Sequence, residues 1–301
     1  MQIRDEILRL KKEKNAVILA HCYQNIEIDE VADFVGDSLY LSQMAAKTDA
    51  DIIVFAGVYF MAQTAKIISP NKKIFLPNMN SGCLMADMVD LNQLRDFKSK
   101  HKNIPVVCYI NSTAEVKSEC DICVTSSNAI KVVKSLNAPE ILFLPDTYLG
   151  KYVESQLKNV KVTTYPGFCP THIKITEDDV KKARENHPNA LILTHPECHK
   201  NVCELSDFVG STSQIIKYAG ESTNNEFVIA TEKGVAERLK RDFPQKTFYL
   251  IKDDIVCPNM KCNTLDDIYN VLKNEINEIM VDENISKKAL KSISKMLEVC
   301  K

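Results

Sequence analysis

Cys83, Cys169 and Cys257 stand in one local context that recurs along the chain. Each is followed seven residues later by a residue suited to cap a helix: Asp90, Thr176 and Thr264. Thr176/Asp179 and Thr264/Asp267 have capping-box spacing, and Asp90/Gln93 is a looser version. Three thiolates converging on one point can hold a metal centre and leave a coordination position open. A cubane cluster ordinarily takes four cysteine thiolates, so three would leave one iron free to bind substrate. A mononuclear zinc with three thiolates follows the same logic, and spacing alone leaves both standing.

Eleven cysteines suit metal or catalytic chemistry better than disulfides if the chain works in a reducing compartment. Cys22 and Cys108 end apolar runs and read as core residues. The pairs Cys120/Cys123, Cys198/Cys203 and Cys257/Cys262 have zinc-like spacings, but no two of them make a double knuckle.

The cysteine context belongs to a threefold internal repeat. Asp33-Phe34-Val35-Gly36 returns as Asp207-Phe208-Val209-Gly210, 174 residues later. The same offset carries His21 onto His195 and Cys83 onto Cys257. A middle copy at an offset of 88 places Asp33 on Asp121 and Ser38 on Ser126; its register then slips by two, so that Cys83 falls on Cys169. Three polar columns follow. They are His21, Tyr109 and His195; Tyr23, Asn111 and Glu197; and Ser38, Ser126 and Thr212. Taken singly, such residues read as core histidines and helix caps. Taken as columns just past strand ends, they predict three rings around one cavity. Hydroxyls and free amides at helix starts suit a small, multiply anionic ligand such as a dicarboxylate or a phosphate ester.

The elements that must position these columns alternate strand and helix. In the first copy apolar runs at 16–20, 33–36, 52–56 and 73–77 are separated by helical stretches around 27–32, 38–48 and 58–68. Runs at 190–194, 207–210, 227–230 and 247–251 match them in the third copy. The runs are continuous rather than alternating, as in parallel strands covered on both faces. The expected fold is α/β: three repeated α/β/α units with short parallel sheets around a pseudo-threefold axis. Helices at 2–14, 90–102 and 176–187 precede the three copies. The units are expected at 1–103, 104–188 and 189–301, the last carrying a C-terminal helix. With eight glycines and no G-x-G-x-x-G or Walker loop, dinucleotide binding of the Rossmann kind is not expected. Near-balanced charge (38 basic, 40 acidic) points to no nucleic acid or membrane partner, and the charged amphipathic start to the cytoplasm.

Several stretches resemble the quinolinate synthase family. They include His21-Cys22-Tyr23-Gln24, Gly36-Asp37-Ser38-Leu39, Phe60-Met61-Ala62-Gln63-Thr64-Ala65-Lys66, Asn80-Ser81-Gly82-Cys83, Thr125-Ser126-Ser127-Asn128-Ala129 and Phe143-Leu144-Pro145-Asp146. Gly167-Phe168-Cys169-Pro170-Thr171-His172, His195-Pro196-Glu197-Cys198 and Cys257-Pro258-Asn259-Met260-Lys261 extend the resemblance over nearly the whole chain. Cys262 departs from the tighter Cys-x2-Cys group of some members, so Cys257 as ligand rests on the repeat and on the Cys-x-x-Met-Lys context. The resemblance implies condensation of iminosuccinate with dihydroxyacetone phosphate to quinolinate, phosphate and water. It implies a [4Fe–4S] cluster on Cys83, Cys169 and Cys257 with one open iron, and a functional link to the enzyme supplying iminosuccinate. Carried over, His21, Ser38, Tyr109, Asn111, Ser126, His195, Glu197 and Thr212 are ligands of iminosuccinate and the intermediates. Tyr23 and Glu197 are the candidates for proton transfer. His172 either contacts substrate or orients the Cys169 loop. An iron–sulfur sensor and a hydro-lyase for another small acid are the competing readings; three rings of polar donors disfavour the sensor.

Overall fold

The computed structural model describes residues 3–300, so Gln2 of the expected first helix and the outermost residues of the expected end units, Met1 and Lys301, lie outside it. The first unit runs α1 (Ile3–Glu13), β1 (Ala16–His21), β2 (Phe34–Gly36), α2 (Ser38–Lys47), β3 (Ile52–Ala56), α3 (Tyr59–Ile68) and β4 (Lys73–Phe75). The second runs α4 (Leu91–Ser99), β5 (Val106–Tyr109), α5 (Ala114–Ser118), β6 (Ile122–Val124), α6 (Ala129–Ser135), β7 (Glu140–Leu144), α7 (Thr147–Gln156) and β8 (Lys161–Thr164). The third runs α8 (Glu177–Asn186), β9 (Leu191–Thr194), α9 (Lys200–Glu204), β10 (Phe208–Val209), α10 (Thr212–Glu221), β11 (Glu226–Ala230), α11 (Lys233–Asp242) and β12 (Thr247–Leu250). Helices α12 (Leu265–Asn274) and α13 (Glu283–Val299) follow.

Each unit holds one four-stranded, all-parallel sheet, and the strand order is the same in all three: β2-β1-β3-β4, β6-β5-β7-β8 and β10-β9-β11-β12. The repeated aspartate explains part of this identity. Asp33, Asp121 and Asp207 each accept a hydrogen bond from the first strand of their own unit, at Ile18 N (2.8 Å), Val106 N (2.8 Å) and Ile192 N (2.7 Å). A carboxylate on a backbone N–H of the first strand fixes where the second strand begins beside it. The central strands β1, β3, β5, β7, β9 and β11 are buried on both faces, as their unbroken apolar runs require. All three helices that follow a repeated cysteine carry full capping boxes, Asp90/Gln93 included.

Packing closes the units into a ring. Helix α4 packs on α5 of the second unit, which it introduces, and Val180 of α8 buries in the core of the third. Helix α12 has no later unit to enter. Its Ile268, Val271 and Leu272 pack instead with Ile7, Leu10, Ile18 and Phe75 of the first unit. An ion pair adds a second tie between first and third units. Asp29 bridges Arg238 (2.7 Å) and Arg241 (2.5 Å) of α11, with the Asp29 and Arg238 side chains almost wholly buried. The last helix follows the third repeat in sequence but seats on the second unit. Ser292 of α13 donates to Lys117 O (2.9 Å), and Lys295 reaches Asp121 O (3.0 Å). Among the described residues no helix is long and apolar enough to cross a membrane.

Candidate active site

The carboxyl ends of the three central strand sets open into one cavity of about 270 Å³. All three polar columns line it, and so do His172 and the three repeated cysteines. Thus His21, Tyr23, Ser38, Cys83, Tyr109, Asn111, Ser126, Cys169, His172, His195, Glu197, Thr212 and Cys257, scattered over most of the sequence, share one cavity. Cys262 is absent from the lining, and its thiol contacts Pro258 O (3.4 Å). Cys22, Cys108, Cys123 and Cys198 are buried core residues.

The histidines are set as neutral donors. His21 Nδ1 accepts from Tyr23 N (3.1 Å), and at the repeat-related position His195 Nδ1 accepts from Glu197 N (3.3 Å). A nitrogen that accepts carries no proton, so in both rings the N–H sits on Nε2. His195 Nε2 meets Ser126 Oγ at 3.3 Å. Burial, ahead of the neighbouring charges, lowers His21 to about 4 and His195 to about 3. Both rings are therefore neutral at ordinary pH.

A hydrogen-bonded chain runs along one wall. Thr212 Oγ1 contacts Tyr23 OH (3.0 Å), Tyr23 OH contacts Thr231 Oγ1 (3.1 Å), and Thr231 Oγ1 contacts His172 Nε2 (2.8 Å). His172 Nδ1 lies 2.7 Å from Glu197 Oε2, and Tyr109 OH donates to Glu197 Oε1 (2.5 Å). With the Glu197 carboxylate as final acceptor, one assignment of hydrogens satisfies every contact of this chain: Thr212 to Tyr23, Tyr23 to Thr231, Thr231 to His172, and His172 to Glu197. Burial opposes the charge on Glu197, yet His195, His172 and the bonds from His172 and Tyr109 hold its carboxyl below the usual range. Burial, then Glu197, raises both tyrosines well above theirs. His172 does two things at once: it lines the cavity and lies 3.2 Å from Cys169 Sγ.

Three helix starts meet beside this wall. Ser127 Oγ bonds Asp37 Oδ2 (2.5 Å) and Ser211 Oγ (2.8 Å), the caps of α2 and α10. The middle copy departs from the pattern, because α6 begins at Ala129 with Asn128 as cap, three residues beyond Ser126. Two buried polar atoms in the lining, Asn111 Oδ1 and Thr125 Oγ1, have no partner within the protein. Buried acceptors without partners mark where a ligand completes the hydrogen bonding.

The three cysteines share one backbone geometry. Each begins a turn whose 3₁₀ segment starts three residues on: Ala86–Met88, His172–Lys174 and Met260–Cys262. Backbone N–H groups two and three residues ahead point at each sulfur, from Met85 and Ala86, Thr171 and His172, and Asn259 and Met260. Burial raises Cys83 to about 12, Cys169 well above the ordinary thiol range, and Cys257 less far. Such thiols ionise only when a metal displaces their protons. Gly167 shapes the middle turn: a Cβ there would meet Pro145 O at 2.5 Å, where Gly167 N already donates to that oxygen (3.0 Å). Among the described His, Cys, Asp and Glu residues, one trio has its ligand atoms within 4.8 Å, Cys169–His172–Glu197; the three cysteine sulfurs are spread more widely. Three thiols lining one cavity, each with two N–H donors, fit a sulfur-ligated group.

Thr231 and Asp37 were not among the residues singled out in the sequence. The signal was present: the offsets of 88 and 174 that build the columns carry Gly57 onto Pro145 and Thr231, the residues after β3, β7 and β11.

Fold and site together define an α/β enzyme class built from three fused units around a shared anion-suited cavity lined by three thiols. A family model described as "Quinolinate synthetase A protein" matches residues 5–298. A quinolinate synthase of Alkaliphilus metalliredigens is 55% identical over 98% of this chain and 97% of its own length. Those of Caldicellulosiruptor bescii and Aquifex aeolicus are 49% and 47% identical over 99% of this chain, and 98% and 94% of their own lengths. The chain belongs to the quinolinate synthetase A family.

Proposed function

We propose that this protein is a cytoplasmic quinolinate synthase that condenses iminosuccinate with dihydroxyacetone phosphate to give quinolinate, phosphate and water. The observation that carries this reading is the single cavity lined by all three polar columns and all three repeated cysteines. Cys83, Cys169 and Cys257 would hold a [4Fe–4S] cluster. When bound, that cluster supplies an open iron as a Lewis acid able to polarise a carbonyl or hydroxyl. Sulfur spacing supports a cluster over one ion, since tetrahedral bonds of about 2.3 Å would place thiolates roughly 4 Å apart.

The chain's own groups do the rest. His21, Ser38, Tyr109, Asn111, Ser126, His195 and Thr212 present donors and amides to the carboxylates of iminosuccinate and the intermediates, and neutral Nε2–H groups do so without a counter-charge to remove. Isomerisation, ring closure and dehydration all move protons. Tyr23 and Glu197 stand at either end of the Thr231–His172 link, so a proton released at one can be replaced from the other. His172 keeps Glu197 oriented while bearing on Cys169. A pathway link to the enzyme that supplies iminosuccinate follows from the same substrate assignment.

A second reading places one ion on Cys169, His172 and Glu197. The direct hydrogen bond from His172 Nδ1 to Glu197 Oε2 (2.7 Å) weighs against it, because an ion taking both atoms would have to break that bond. Anaerobic reconstitution with iron and sulfide, followed by incubation with iminosuccinate and dihydroxyacetone phosphate, tests the proposal. Quinolinate and phosphate in equal amounts are expected. Full activity with one zinc per chain and no sulfide would refute it.

A further inference from the structure

The cavity faces a charge problem if, as proposed above, it takes a dicarboxylate together with a phosphate ester. Its lining already contains two carboxylates, Asp37 and Glu197, and its histidines His21 and His195 are neutral. Among the lysines and arginines, Lys174 alone lines the cavity. That side chain is exposed, and among the described residues its ammonium makes no hydrogen bond or ion pair, while its carbonyl accepts from Lys252 Nζ (3.5 Å). Lys174 closes the 3₁₀ turn that begins at His172, so it stands at the mouth while His172 is buried inside.

Internal symmetry makes the position informative. The corresponding turns end at Met88 and Cys262, and neither of these lines the cavity. The turns likewise begin at Ala86 and Met260 where the middle copy has His172. The scaffold therefore departs from its threefold pattern on one turn, by placing a hydrogen-bonding ring inward and a cation outward. A symmetric cage needs such a departure to tell the two ends of an asymmetric ligand pair apart.

We infer that Lys174 is the phosphate-recognising residue of this site. It holds the phosphate of a three-carbon phosphate ester at the cavity mouth, directs the carbon chain inward, and retains the phosphate until it leaves as the inorganic ion. An ammonium on a phosphate dianion is a charge-assisted contact, whereas the dicarboxylate is bound by neutral donors deeper in. The identity of the ester rests on the proposed reaction, whereas binding of inorganic phosphate at Lys174 does not.

The test uses the anaerobically reconstituted full chain with Lys174→Met, which copies the residue of the first repeat, and with Lys174→Arg. Calorimetry with inorganic phosphate reads the site directly. Wild type and Lys174→Arg are expected to bind phosphate, and Lys174→Met about tenfold or more weakly, with protection against unfolding by malate within twofold of wild type. In turnover, KM for dihydroxyacetone phosphate should rise tenfold or more in Lys174→Met while KM for iminosuccinate stays within twofold. Equal phosphate binding by wild type and Lys174→Met, no phosphate binding by wild type, or a parallel rise in both KM values would each overturn the inference. Wild type that binds phosphate through Lys174 but forms no quinolinate would sink the proposed reaction and leave the phosphate site standing.

Discussion

Thr231→Val removes one hydroxyl from the chain that joins Tyr23 to Glu197 and changes almost no volume. Thr231 is fully buried, 3.1 Å from Tyr23 OH and 2.8 Å from His172 Nε2. Without it the Tyr23 O–H loses its acceptor and His172 Nε2 loses its donor, both in a buried setting. At roughly 1–2 kcal/mol for each group left unsatisfied, the loss is about 2–4 kcal/mol. A chain of 301 residues has an unfolding entropy of about 0.6 kcal/mol per degree, so Tm should fall by about 3–6 °C. The kinetic effect should be larger, because a freed His172 no longer holds Glu197 and no longer couples it to Tyr23. A drop in kcat of roughly 10²-fold is expected, with iminosuccinate KM changed far less. Thr231→Ser keeps the hydroxyl and should restore most of both losses. The assay is differential scanning calorimetry beside single-turnover quinolinate formation under anaerobic conditions. A valine variant with wild-type kcat and a Tm within 1 °C would refute the relay.

Serine at Cys83, Cys169 or Cys257 should abolish cluster absorbance and activity, while serine at Cys262 or half-buried Cys120 leaves both; loss of absorbance in the Cys262 variant but not the Cys257 variant would overturn the third ligand. Asp29→Ala strands buried Arg238 and opens the tie between first and third units; a cost of roughly 3–5 kcal/mol and a Tm loss of about 5–8 °C are expected in calorimetry. Stability should also fall on acidification below the ordinary histidine value of about 6.5. The unfolded chain takes up protons there that His21, at about 4, and His195, at about 3, refuse until lower pH. At pH 5.5 this costs about 1.4 kcal/mol for each ring, and Tm in a His21→Gln/His195→Gln variant should decline less steeply from pH 7.5 to 5.5.

The columns were legible because repetition turns a spatial relation into an arithmetic one. Asp33, Asp121 and Asp207 each bond the first strand of their own unit, so an offset between them is an offset between whole units. Parallel sheets then send every residue just past a first strand toward the same end of the fold, as His21, Tyr109 and His195 show. What the offsets could not supply was departure from symmetry. Nothing in the run of α13 says that Ser292 will meet Lys117 of the second unit, because its apolar stripe would suit any exposed face. Helix α12 likewise completes the ring on α1 through contacts more than 200 residues apart in sequence. The His172–Glu197 contact joins the second unit to the third, and only the assembled cavity makes it visible.

The account rests on three cysteines holding a cluster whose fourth iron faces the ligand cavity. Mössbauer spectroscopy of the ⁵⁷Fe-reconstituted protein, with and without quinolinate, measures this directly. About four irons per chain are expected, with close to one quarter of the signal shifting when quinolinate enters, since one iron alone lacks a thiolate. A spectrum unchanged by quinolinate, or one in which all irons shift alike, would contradict the account.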